Sequence, residues 1–131
     1  MTETPLIPVT EKSAWTAAEL AADTGWTRRL NAEELAALEQ VTADLAAKGR
    51  GALQFGCEDI DAPVLTALAD WAVEELEHGR GCVLLKGLDV ARYDRPRIEA
   101  MYWAITVLMG VPMHHNPDGD VIGEVTDKGL D

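Results

Sequence analysis

The stretch Gly81-Cys82-Val83-Leu84-Leu85-Lys86-Gly87 decides how the chain is read, because it is where the hydrophobic period changes. A short apolar run closed by glycines on both sides predicts a strand over Val83–Leu85, buried on both faces between helix layers. Leu84 and Leu85 are then both expected in the core. On either side the period is helical. Upstream, Leu65, Leu68, Ala72 and Leu76 fall on one face of a helix over 62–78, which follows Asp61 or Ala62 as cap, carries Pro63 in its first turn and stops at Gly79. Downstream, Asp94 caps a helix over 95–109 whose inward residues are expected to be Ile98, Met101, Ile105 and Leu108, closed by Gly110.

Further out the reading extends the same way. Asn31 and Glu34 have the spacing of a capping box and open a helix over 32–48 with the stripe Leu35, Leu38, Val41 and Leu45. Ser13 opens a shorter run marked by Trp15, Ala18 and Ala22, interrupted at Gly25. Residues 1–12, with two prolines, read as a flexible lead-in. Gly51 to Asp59 reads as a loop with a short strand at Ala52–Phe55. The tail holds a turn, Asn116-Pro117-Asp118-Gly119, between strands expected at Val111–His115 and Asp120–Val125. The fold class is α+β, helix-rich, with one domain over 13–131.

Charge narrows the partners. The chain of 131 residues has 23 acidic against 11 basic side chains, a formal net charge of −12. Counterion release from nucleic acid needs a basic stripe, and the densest basic groups are only Arg28-Arg29 and Arg92, Arg95 and Arg97. Nucleic acid and anionic membrane are therefore not expected partners. No apolar run nears the roughly eighteen residues of a membrane span, and Met1–Thr10 lacks the form of a signal peptide. Cys57 and Cys82 have no C-x-x-C spacing and read as reduced thiols in a cytoplasmic protein.

The one polar cluster is His114-His115-Asn116-Pro117-Asp118-Gly119-Asp120. Non-heme iron needs two histidines and a carboxylate on one face with open positions beside them. An H-x-D reading from His114 meets the neutral Asn116, and no histidine follows His115. A calcium loop starting at Asn116 would place Asp118, Asp120 and Asp127 at positions 3, 5 and 12, yet Val121 stands where a sharp turn requires glycine, and Asp127 is shorter than the bidentate glutamate that position 12 calls for. In an extended segment His114 and His115 diverge to opposite faces, which disfavours zinc. A solvated turn is the expectation. His78, in the last turn of its helix, suits the helix dipole. No nucleophile elbow or P-loop occurs, and Gly79-x-Gly81 precedes its strand, which excludes a dinucleotide fingerprint. No catalytic residue and no metal ligand is assigned.

Several of these pieces in order resemble a family. Gly81-Cys-Val-Leu-Leu-Lys-Gly-Leu88 resembles the G-x-V-L-L-R-G-L strand near the start of the TauD/TfdA iron(II)- and 2-oxoglutarate-dependent dioxygenases. Tyr102-Trp103, Leu108-Met109-Gly110-Val111-Pro112, His115-Asn116, Gly119-Asp120, Ile122-Gly123 and Val125-x-Asp127 continue the likeness, and Trp15, Trp26 and the stripe from Leu35 are similar to the family's helical front. Relatives often read Gln-Asn at 115–116, so His115 departs from the pattern. The resemblance implies a double-stranded β-helix (jelly-roll) oxygenase of which this chain is the front portion. Iron(II) and 2-oxoglutarate are implied for the whole fold and no cofactor for these residues, because the H-x-D pair, the distal histidine and the 2-oxoglutarate arginine lie downstream of Asp131, and no arginine follows Arg97. His115 and Asn116 are implied at the edge of a substrate pocket. Two other uses stay open: a non-catalytic interaction module forming homo-oligomers through exposed strand edges, and a small metal-binding protein built on the 114–120 turn.

Overall fold

The computed structural model describes residues 4–129; the first three residues of the expected lead-in and the last two of the expected domain lie outside them. The order is α1 (Ala17–Ala22), β1 (Thr27–Arg29), α2 (Ala32–Ala47), a 3-10 turn (Cys57–Asp59), α3 (Pro63–His78), β2 (Leu84–Lys86), a second 3-10 turn (Val90–Arg92) and α4 (Arg95–Met109). The architecture is mixed, α+β, and no helix among the described residues is long and apolar enough to cross a membrane.

The caps set the helices. Asn31 Oδ1 accepts from Glu34 N at 2.8 Å and starts α2, and Asp94 Oδ1 accepts from Arg97 N at 3.0 Å and starts α4. Asp61 does not cap α3. Ala62 stands at that position without a side-chain bond, and Pro63 supplies the helical φ instead. The first helix begins later than Ser13. Thr16 forms the capping box with Glu19, leaving Trp15 outside the helix, where its indole N–H donates to Arg80 O at 2.8 Å.

α2, α3 and α4 pack on one another, and Leu38, Leu65, Leu68 and Met101 are sealed at their junction. Trp103 fastens the 51–60 loop to this core by donating from Nε1 to Phe55 O at 2.8 Å. That loop contains no strand. Leu53 adopts a left-handed φ of 68°, and Arg50 holds the turn by donating to Gln54 O and, through both terminal nitrogens, to Asp59 at 2.9 and 3.0 Å.

β2 pairs in parallel with β1, a strand the sequence pattern did not reveal, with Arg28 opposite Leu85. Parallel pairing requires a crossover, which α2 and α3 provide. Helices cover only one face of this pair. Leu85 is half-buried on the inner side, whereas Leu84 is 41% exposed on the outer side. The expectation that both leucines sit in the core is therefore corrected. Three-residue strands have one covered face here, and period-two alternation sends Leu84 to solvent.

The strands expected at Val111–His115 and Asp120–Val125 also do not form. One backbone bond, from His115 N to Asp120 O at 3.2 Å, joins the two segments. Pro112, within the first of them, lacks the donor a ladder would need.

Candidate functional site

The turn that follows α4 closes on itself. Asn116 Oδ1 accepts from Asp120 N at 2.9 Å, Asn116 Nδ2 donates to Asp120 Oδ2 at 2.8 Å, and Gly119 N donates to Asn116 O at 3.2 Å. His114 Nδ1 lies 2.6 Å from Gly119 O. A carbonyl oxygen only accepts, so Nδ1 carries a proton in this contact. A Cβ on Gly123 would come within 2.7 Å of His115 Nε2, so the imidazole rests directly over that glycine.

The two residues singled out as a pocket edge, His115 and Asn116, open on different grooves. Asn116 borders one of about 560 Å³ with Leu53, Glu99 and Asp120. His115 borders another of about 360 Å³ with Ile98, Glu99, Tyr102 and Val121. Glu99, Ile122 and Gly123 form the wall between them. The turn thus brings both residues beside α4 without converging them on one point.

A three-ligand metal centre does not fit these residues. His114 is tied to the turn's backbone, Asn116 is a neutral amide, and the Asp120 carboxylate is held by that amide. Among the described residues no group of three His, Cys, Asp or Glu side chains is placed to hold a metal ion. No chemistry routed through a metal follows from this turn.

The largest apolar feature lies elsewhere. β2 and the facing sides of α3 and α4 enclose an open hollow of about 560 Å³ whose walls include Leu30, Leu76, Val83, Leu85, Ile105 and Met109. No charged side chain lines it. Its existence follows from α4, which is apolar on two faces. Ala100, Trp103, Ala104 and Val107 are buried in the helical core; Ile98, expected there, faces the hollow with Met109, and Ile105 packs against the core and lines the hollow as well.

A second feature was not foreseen. Glu34 is 1% exposed at the start of α2. Its Oε1 accepts from Arg28 Nη2 and from Asn31 Nδ2, the latter at 2.9 Å. Its Oε2 meets no protein donor. The Arg28 guanidinium in turn lies 5.4 Å from the centre of the Trp71 ring, so the carboxylate, the cation and the indole form one stack that clamps β1 to α2 and α3. In the sequence Glu34 looked only like a capping-box residue. The signal that could have found the pair was Arg28 itself, placed six residues before a capping glutamate in a chain poor in cations. Compared with known families and curated proteins, the sequence matches no family model and no curated relative.

Proposed function

We propose that this chain is the helical front layer of an iron(II)- and 2-oxoglutarate-dependent dioxygenase of TauD/TfdA type, and that it supports the oxygenase fold without performing the oxidation itself. The observation that carries the reading is the second apolar face of α4. Together with β2 and α3 it presents an uncharged hollow and a short parallel sheet, the surface on which further strands of a β-helix would pack. The order of motifs from Gly81 to Asp127 supports the same reading, as does the seating of His115 and Asn116 on a turn beside grooves, where the resemblance puts a pocket rim. Iron(II) and 2-oxoglutarate would be held by other residues of such an enzyme. The two free thiols, Cys57 and Cys82, suit a reducing, cytoplasmic setting.

The test has two parts. The purified 131-residue chain, given iron(II), 2-oxoglutarate and ascorbate, is expected to release no succinate above a protein-free control. Release that disappears in the His114→Ala/His115→Ala variant would place the reactive centre within this chain and overturn the reading. In the coding sequence after codon 131, an H-x-D motif and a distal arginine are expected, in frame or out of frame.

The rival reading, a non-catalytic module that self-associates, is favoured by one observation. Each of the two strands has an unpaired edge, and Leu84 stands exposed beside it. Concentration-dependent dimers in sedimentation that Leu84→Lys abolishes, with no oxygenase motif downstream, would establish that reading instead.

A further inference from the structure

We infer that residues Pro5–Val9 form a strap that closes over the apolar hollow between β2, α3 and α4 of the same chain. The strap closes the hollow in this chain taken alone; under the oxygenase reading the further strands take the same surface in its place. Two unsatisfied apolar surfaces meet in this molecule. Leu6, Ile7 and Val9 are 98%, 85% and 67% exposed, and the hollow is apolar and uncharged. The segment is also uncharged from Thr4 to Thr10, unlike most of this acidic chain.

The anchor of that segment sits at the rim of the hollow. Lys12 O accepts from Arg80 Nη1 at 3.3 Å, and Trp15 Nε1 donates to Arg80 O. A Cβ on Gly81 would touch the Ser13 side chain at 3.5 Å. Gly81 is two residues, at most about 7 Å, from Val83 in the hollow's wall, so the strap is anchored beside that wall. Ile7 is six residues before Ser13, a reach of about 20 Å. A turn in which Ala14 N donates to Glu11 O at 3.0 Å lies at the base and serves as the hinge.

The composition of the strap suits an apolar bed. Burying an unpaired backbone N–H is costly, and Pro5 and Pro8 have none to bury. Their fixed φ also lowers the entropy lost on docking. A short tether gives the segment an effective concentration in the millimolar range at its own hollow. A second copy must instead bring together two chains of net charge −12.

Disulfide trapping tests the inference. With Cys82→Ser throughout, Ile7→Cys is combined either with Tyr102→Cys on the hollow (in a Cys57→Ser background) or with native Cys57, which does not line it. Closure predicts a monomeric disulfide that forms several-fold faster with position 102 than with Cys57. Equal rates at the two positions would mean a freely sampling tail and would overturn the inference, as would disulfide-linked dimers, which would assign the hollow to a second copy. A neutral apolar dye gives a second readout that introduces no cross-link. Leu6→Ser/Ile7→Ser/Val9→Ser should raise dye binding several-fold with an unchanged far-ultraviolet spectrum, and unchanged dye binding would also refute closure.

Discussion

Removing the two members of the Arg28–Glu34 pair should have very unequal consequences. In Arg28→Met the stem is kept and the charge is lost, so the Glu34 carboxylate stays buried with only Asn31 Nδ2 as a side-chain donor. Breaking a buried pair in this way costs about 3–5 kcal/mol. Arg28 is about a third exposed (34%, against 1% for Glu34), and solvent screening places the loss near the lower end, about 3 kcal/mol. For a domain of this size that is a fall in Tm of roughly 10 °C. Glu34→Met removes the buried charge and leaves a cation that can reach water while still lying over Trp71. Its cost should stay within about 1 kcal/mol, because an apolar replacement of a buried ion is often close to neutral. The double variant should then resemble Glu34→Met and be more stable than Arg28→Met alone. Urea and thermal melts followed by circular dichroism measure all three, with a constant urea slope as the check that the denatured state is unchanged. If Arg28→Met costs no more than Glu34→Met, water reaches the carboxylate and the clamp is not a buried pair.

The remaining predictions concern the sheet, the loop and acid. Leu84→Asp should change stability by no more than about 0.5 kcal/mol, as exposed substitutions usually do, whereas Leu85→Asp should lower it by several-fold more; equal melts would contradict the one-faced sheet. Trp103→Phe removes the donor to the Phe55 carbonyl and should cost about 1–3 kcal/mol, with faster proteolysis at 51–56; an unchanged digestion pattern would show that the indole does not hold the loop. Asp59 is held below its ordinary 3.8 by the Gly56 N–H and by Arg50, and its contribution is present above 3.8 and lost as pH falls through the lowered folded value. Asp59→Asn should therefore be less stable than the parent near neutrality and converge with it in strong acid; a gap that persists in acid would argue against this linkage. Tyr93 is displaced upward by its bond to Glu39, then by burial, so its ionisation, followed by ultraviolet absorbance, should move to lower pH in Glu39→Gln; no movement would dismiss the bond.

The sequence by itself determined the three long helices, because their signals are local. Asn31 and Asp94 carry cap oxygens, Pro63 fixes a first turn, and apolar residues recur every three or four positions, all within reach of one another along the chain. It also placed a strand in the Gly81–Gly87 run, within one residue of β2. Tertiary structure decided everything that depends on which face meets what. β1 is three residues long and has no period of its own; it is a strand because Lys86 O accepts from Leu30 N at 2.8 Å and Trp26 O accepts from Leu84 N at 3.0 Å, across more than fifty residues of sequence. The same helix α4 offers two apolar faces, and only packing against α2 and α3 chose Ala100, Trp103, Ala104 and Val107 for the core and left Ile98 and Met109 to the hollow. His115 and Asn116 were legible as a polar turn, but not as residues bordering separate grooves, since that depends on where Glu99 and Ile122 come to stand. Glu34 looked like a capping residue because its neighbours in sequence are caps. Burial beneath Arg28, itself over Trp71, made it a buried ion, and burial belongs to the packed chain, where distant residues exclude the water that no local pattern can exclude.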